Sequence, residues 1–127
     1  MPESVDEFIR RKEIEFREKD KTIEMKDIGR KGAVFFKREK WAFLPQHNLN
    51  KKVFVFERLR KHDHSGALAH RGSWKKGDIE YRIGYFIIGR NGTRKGKWTW
   101  GQFCPLIPAT DLLRLLNRAR TQKVLLE

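Results

Sequence analysis

The residue types able to do chemistry in this chain lie mainly in its middle. His62 and His64 alternate with Asp63, so both imidazoles would face the same way on an extended backbone. His70 and Glu80 follow further along the chain. Imidazole and carboxylate groups together bind Zn, Mn or Fe, and a water bound to such a metal can cleave a phosphodiester. A histidine alone can act as a general acid or base in the same reaction. One alternative function is therefore a small metal-dependent nuclease that uses His62, His64, His70 and Glu80.

No motif favours this nuclease over a simple binding protein. The histidine spacing matches no established metal site, and the sequence contains no P-loop, dinucleotide fingerprint, nucleophile elbow or paired CxxC. The single cysteine, Cys104, has no histidine near it in the sequence, and we expect a small buried side chain rather than a nucleophile. We therefore expect a protein that performs no chemistry of its own and needs no cofactor and no metal.

Residues 58–77 are richer in positive charge than in catalytic groups. They include six Lys and Arg residues, three glycines and one tryptophan. A loop of that length in a compact domain is usually functional or disordered. Arginine and lysine bind phosphate oxygens, and a tryptophan ring can stack on a base. We expect a phosphate-binding loop with Trp74 as the stacking ring and with phosphate contacts from Arg58, Arg60, Lys61, Arg71, Lys75 and Lys76. One alternative is a solvated loop without a ligand. The other is a linker that becomes ordered on binding.

A second basic turn follows between two expected strands. Residues 89–96 are rich in Gly and Asn, which predicts the tip of an antiparallel hairpin, and they carry Arg90, Arg94 and Lys95. A flexible basic arm can place arginine in a minor groove and lysine on phosphates. The alternative is an ordinary turn whose charges protect a sheet edge from aggregation.

The formal net charge of the 127-residue chain is +13, and it is unevenly distributed. Residues 1–29 have a net charge of −2, whereas residues 30–127 have +15 and contain every tryptophan and tyrosine. Such a surplus favours a polyanionic partner, because binding releases the counterions condensed on the polyanion. We therefore divide the chain into an acidic and mixed-charge N-terminal helical segment, 1–29, and a basic α+β domain, 30–127. The helical segment would temper this charge or contact a partner protein.

Both ends of the chain have helical patterns. Ser4 and Glu7 have capping-box spacing, and a sparse apolar stripe follows to about Asp20. Residues 109–120 have apolar side chains at helical spacing, which predicts an amphipathic helix. Its expected buried stripe consists of Leu112, Leu115, Leu116 and Ala119.

Between these helices the pattern changes to short β-type segments separated by turns. The expected strands are 22–26, 33–37, 41–44, 53–57, 79–88 and 97–103, with an edge strand at 124–126. The alternation of facing side chains is clearest in 79–88. These segments predict an α+β fold, a mainly antiparallel sheet of about five short strands with an N-terminal helix and a C-terminal amphipathic helix.

Two pairs of residues in the last strands have more than one interpretation. Trp98 and Trp100 share a strand face and would form a stacking platform if that face were open, but tryptophan in a small domain more often packs in the core. Glu80 and Arg82 also share a face and could form a charged pair within the sheet, but we expect a surface ion pair of little energetic consequence.

Charge and aromatic content together favour nucleic acid as the partner. We expect a nucleic-acid-binding protein of a bacterium, archaeon or virus, with phosphate contacts, aromatic stacking and low sequence specificity for DNA or RNA. Besides the nuclease, the alternative is a structural or adaptor subunit of a larger nucleoprotein assembly. We expect a cytoplasmic protein without a membrane partner, because a lone cysteine suits a reducing compartment and no apolar segment approaches the length of a membrane span.

Overall fold

The computed structural model describes residues 2–19, 22–26, 32–66 and 75–126. The described residues form two α-helices, five strands and a short 3-10 turn at Gly92–Arg94. The helices are α1 (Val5–Glu18) and α2 (Ala109–Thr121), and the strands are β1 (Thr22–Lys26), β2 (Ala33–Pro45), β3 (Lys52–Ser65), β4 (Ile79–Ile88) and β5 (Trp98–Trp100). The strands pair antiparallel in the order β1-β2-β3-β4-β5, which confirms the predicted α+β fold.

The two faces of this sheet are covered by different helices. Side chains alternate along β3, so Val53 and Val55 pack in a cluster with Phe8 of α1, while Phe54 packs in a second cluster with Leu115 of α2. All five side chains are fully buried. Because its central strand is buried on both faces, the molecule has three layers, helix on sheet on helix.

The start of α1 follows the sequence prediction. The Ser4 hydroxyl accepts a hydrogen bond from the Glu7 backbone N–H at 3.2 Å, and the Glu7 carboxylate accepts one from the Ser4 N–H at 3.1 Å. The Phe8 ring stacks on Trp98 with 4.5 Å between ring centroids. Trp98 also donates its indole N–H to the Glu3 carbonyl at 2.9 Å. Trp98 therefore fixes α1 to the sheet, which agrees with the core placement.

The buried side of α2 differs from the predicted one in its first turn. Leu115 and Ala119 are fully buried as expected, but Leu112 is 39% exposed, and the buried residue of this turn is Asp111. Asp111 accepts a hydrogen bond from the His47 backbone N–H at 3.0 Å, and its carboxylate also lies 3.0 Å from the His47 ring Nδ1. The predicted burial of Leu112 was wrong because this polar contact takes the inward position.

Residues 124–126 close α2 and do not form the predicted edge strand. Lys123 has a left-handed φ of 63°, and the Val124 N–H donates to the Ala119 carbonyl at 2.8 Å. The Lys123 N–H donates to Arg120 in the same turn, which completes a Schellman motif. Val124 is fully buried and packs against the α2 face of the sheet. The strand prediction was wrong because these backbone groups cap the helix.

β2 and β3 are longer than the sequence predicted. The expected strands 33–37 and 41–44 join into β2 through two register shifts, and β3 continues to Ser65. The predicted loop starting at Arg58 was therefore wrong as far as Ser65. Arg58, Arg60 and Lys61 pair with carboxylates of neighbouring strands, while Leu59, only 1% exposed, faces the interior. Residues 67–74 lie outside the described residues.

β5 is shorter than the predicted strand 97–103. It ends at Trp100, and Phe103 is 80% exposed. A Cβ at Gly101 would come within 2.1 Å of the Tyr85 ring, so the backbone lies directly against that ring as the chain leaves the sheet. Cys104 follows in the exposed connection to α2, and its predicted burial was wrong.

Candidate nucleic-acid interface

Two of the predicted phosphate-binding arginines belong to an ion-pair group on the α2 face. Arg58 Nε lies 3.1 Å from Glu39 Oε1, and its terminal nitrogen donates to two carbonyls that follow α2. Arg60 donates to both oxygens of Glu39, at 2.6 and 3.1 Å, and to the Gly77 carbonyl at 2.7 Å. The hydrogen bond from Arg60 lowers the pKa of Glu39. Both arginines therefore have structural contacts that connect β2, β3 and the C-terminal residues.

Lys61 is also paired within the protein. Its ammonium lies 3.3 Å from the Glu80 carboxylate, and its side chain is only 12% exposed. The predicted pair of Glu80 with Arg82 was wrong, because Arg82 Nε donates to the buried Glu57 at 2.7 Å. The reason is strand register, which places Arg82 directly opposite Glu57 on β3.

The histidines of the nuclease alternative lie at the end of β3. A register shift leaves His62 between residues paired to Phe36 and Phe35, so it is the extra residue of a bulge. Glu80 pairs with Lys61, and His70 lies outside the described residues. Within the described part of the chain, no group of three or more His, Cys, Asp or Glu side chains is arranged to bind a metal.

The remaining described cations of the prediction lie in two exposed turns. Lys75 and Lys76 precede β4, and Arg90, Arg94 and Lys95 follow it. All five are exposed, and none of them pairs with an acidic side chain among the residues that the structure describes. The ten residues of β4 separate the turns by roughly 30 Å at about 3.3 Å per residue. The structure thus separates the two predicted patches; Arg71 and Trp74 lie outside the described residues.

The turn after β4 is built for a sharp change of direction. Gly92 and Gly96 have left-handed φ values of 67° and 75°. Gly89 pairs with Lys97 and Gly96 through backbone hydrogen bonds at 3.0 and 2.9 Å. These contacts hold the base of the turn, so its charged side chains point into solvent from a defined backbone.

A second group of charges, not predicted from the sequence, lies between α1 and the sheet. Glu57 is fully buried and accepts hydrogen bonds from Arg38 Nε at 2.6 Å and Arg82 Nε at 2.7 Å, one on each carboxylate oxygen. The Arg38 guanidinium lies 3.7 Å from the centre of the Phe16 ring, and that of Arg82 lies 4.7 Å from the Trp100 ring. Each arginine is therefore held by the same carboxylate and by an aromatic face.

Phe16, Arg38, Arg82 and Trp100 line a cleft of about 330 Å³ between α1 and the sheet. Glu57 is bonded to both arginines but is fully buried and does not line the cleft. Lys12 enters it from α1, with its ammonium 5.1 Å from the centre of the Phe86 ring and 3.4 Å from Glu15. Trp100 reaches the floor because Gly84 has no side chain; a Cβ there would lie 2.2 Å from the indole. We name this site the α1 cleft, defined by Lys12, Glu15, Phe16, Arg38, Arg82 and Trp100.

Comparison with known protein families, with curated proteins and with solved structures finds no match to this chain. None of the helices formed by the described residues has the length and apolar character needed to cross a membrane.

Proposed function

We propose that this protein binds nucleic acid through phosphate contacts, with low sequence specificity. The observation that carries the proposal is the set of exposed cations at both ends of β4, namely Lys75, Lys76, Arg90, Arg94 and Lys95. They belong to a chain with a net charge of +13, and ionic contacts with phosphates supply most non-specific nucleic-acid binding.

The separation of the two turns suits an extended polyanion better than a small anion. A distance of roughly 30 Å corresponds to about nine steps of 3.4 Å along one strand of a duplex. A polymer could contact both turns at once, whereas a small anion would reach only one. Simultaneous contact raises the effective concentration of phosphate at the second turn.

The roles of the other predicted residues change in this proposal. Arg58, Arg60 and Lys61 already pair with Glu39 or Glu80, so we assign them to the fold and expect a small contribution to binding. Stacking on Trp74 stays a prediction. The sequence contains no segment that resembles a base-reading helix, which is consistent with low specificity.

The proposal is tested by measuring the affinity of fluorescent single- and double-stranded DNA and RNA across a salt series. We expect a steep decrease of affinity with salt, and a slope that becomes shallower by about 0.9 for each duplex phosphate contact removed. The test variants are Lys75→Gln/Lys76→Gln and Arg90→Gln/Arg94→Gln. The matched control is Arg10→Gln/Lys19→Gln, which removes the same charge from the N-terminal segment.

Four outcomes are informative. Shallower slopes in both test variants, with an unchanged slope in the control, support the proposal. A slope that becomes equally shallow in the control and in both test variants would contradict it, because binding would then follow net charge alone. Absence of binding at about 0.15 M salt would contradict it as well and would favour a protein partner. Cleavage of the oligonucleotide with added Mn²⁺ would restore the nuclease alternative.

A further inference from the structure

The α1 cleft contains two arginines in a geometry that prepares them for an anion. Glu57 is bound through Nε of both Arg38 and Arg82. Among the described residues, the terminal nitrogens of these two guanidiniums have no hydrogen-bond partner. A guanidinium carries five N–H donors in a rigid fork, so each arginine keeps donors for a ligand after bonding Glu57.

The cost of burying this group indicates a role other than stability. Taking a carboxylate and two guanidiniums out of water is expensive, and apolar replacements of such groups are often neutral or stabilising. Glu57 is fully buried, and the Arg38 and Arg82 side chains are 16% and 26% exposed. The aromatic faces of Phe16 and Trp100 further restrict the two guanidiniums. Side chains ordered before binding lose little entropy when a ligand arrives.

The net positive charge and the free guanidinium donors of the cleft favour an anion. Three cations, Lys12, Arg38 and Arg82, face two carboxylates, Glu15 and the buried Glu57, so the group keeps a net positive charge. A phosphate monoester carries about −1.5 to −2 charges and three acceptor oxygens at neutral pH. Two guanidinium forks and an ammonium match those oxygens better than they match the two oxygens of a carboxylate.

We propose that the α1 cleft binds a phosphate monoester, with room for one attached nucleoside. Its volume of about 330 Å³ lies at the lower end of the range for ligand pockets, roughly 300 to 1,000 Å³. The monoester could belong to a free mononucleotide or to the terminal phosphate of a strand. The second source rests on the proposed nucleic-acid binding; the first does not.

The test compares one oligonucleotide sequence with a 5′-phosphate, a 3′-phosphate and hydroxyl ends. We expect at least one phosphorylated form to bind about tenfold more tightly than the hydroxyl form, since a hydrogen bond between charged groups is worth at least a factor of ten. If free mononucleotide also binds and competes, the ligand is the monoester itself. If only the phosphorylated strand binds, the source is a strand end.

Two variants assign the effect to the cleft. Lys12→Gln removes the ammonium without touching Glu57, and we expect it to weaken phosphate-dependent binding about tenfold. Arg10→Gln, an exposed change of equal charge on the same helix, should leave it unchanged. The triple variant Arg38→Met/Glu57→Leu/Arg82→Met replaces the whole charged group and should remain folded by circular dichroism while losing the preference for phosphate.

Equal affinity for the phosphorylated and hydroxyl forms, together with no binding of mononucleotide, would overturn this inference. Binding of the hydroxyl form, with its salt slope reduced in the Lys75→Gln/Lys76→Gln variant, would leave the proposed function intact. The two proposals therefore fail in different measurements. A phosphate preference that Lys12→Gln leaves unchanged would also overturn the assignment to this cleft.

Discussion

The two faces of the sheet each carry one glutamate held between two arginines, yet the two groups differ in almost every physical respect. On the α1 face, Glu57 is fully buried under Arg38 and Arg82, and both guanidiniums lie on aromatic rings. On the α2 face, the Glu39 side chain is 26% exposed between Arg58 and Arg60. Burial raises the energetic importance of each contact, because water no longer compensates a lost partner.

The largest expected effect follows from removing the buried charge. Glu57→Gln would leave two guanidiniums facing each other without a counter-ion, and we expect a loss of about 3–5 kcal/mol in the free energy of unfolding. The same change on the other face, Glu39→Gln, should cost about 1 kcal/mol, because water reaches that group. Urea unfolding of both variants measures the comparison. Equal losses would show that burial does not separate the two groups.

Within the α2-face group, the two arginines should contribute unequally. Arg58 is 13% exposed and bonds two carbonyls after α2 in addition to Glu39, so Arg58→Met should destabilise by about 1–3 kcal/mol. Arg60 is 43% exposed, and Arg60→Met should have a smaller effect. Hydrogen exchange at the end of α2 is the second measurement, since only Arg58 is bonded there. Increased exchange in both variants would contradict this division.

The comparison also explains which parts of the molecule a sequence can predict. The sequence predicted the capping box of α1 and the strands β1 and β4 correctly, because each follows from a local pattern within a few residues. Glu57 and its partners were missed because they lie 19 and 25 residues apart, and two register shifts in β2 decide which side chains meet. A signal was present: Glu57 follows four consecutive apolar residues, and a charge in such a strand needs a buried partner.

The error in the predicted loop has the same origin. The charges from Arg58 onward were predicted to form a phosphate-binding loop, whereas Arg58, Arg60 and Lys61 are paired residues of β3 with Leu59 buried between them. The Asp111 contact with His47 spans 64 residues and was equally invisible to local patterns. In contrast, the exposed cations of the two turns were identified from composition, because exposure of Lys and Arg in Gly-rich turns is the ordinary outcome.

A pH titration should show a signature of the α2-face group. The pKa of Glu39 is lowered, chiefly by the hydrogen bond from Arg60, so its ionised form stabilises the folded state. This contribution is complete above the unfolded-state pKa of about 4.3 and is lost as the pH falls through the lower folded-state pKa. Wild-type protein should therefore lose stability more steeply below about pH 4.3 than Glu39→Gln. Parallel curves for the two proteins would contradict the role assigned to Arg60.

The smallest expected effect concerns the pair between Lys61 and Glu80. Its carboxylate side chain is 57% exposed, so solvent and salt screen the attraction even though the lysine is only 12% exposed. We expect Glu80→Gln to change the free energy of unfolding by less than about 0.5 kcal/mol. The same substitution releases Lys61 from its partner, so nucleic-acid affinity should rise slightly at low salt if Lys61 can then reach a phosphate. A large loss of stability would mean that exposure of one partner is not enough to weaken an ion pair in this sheet. The expected difference in stability between the Glu57 and Glu39 variants would then need a cause other than burial.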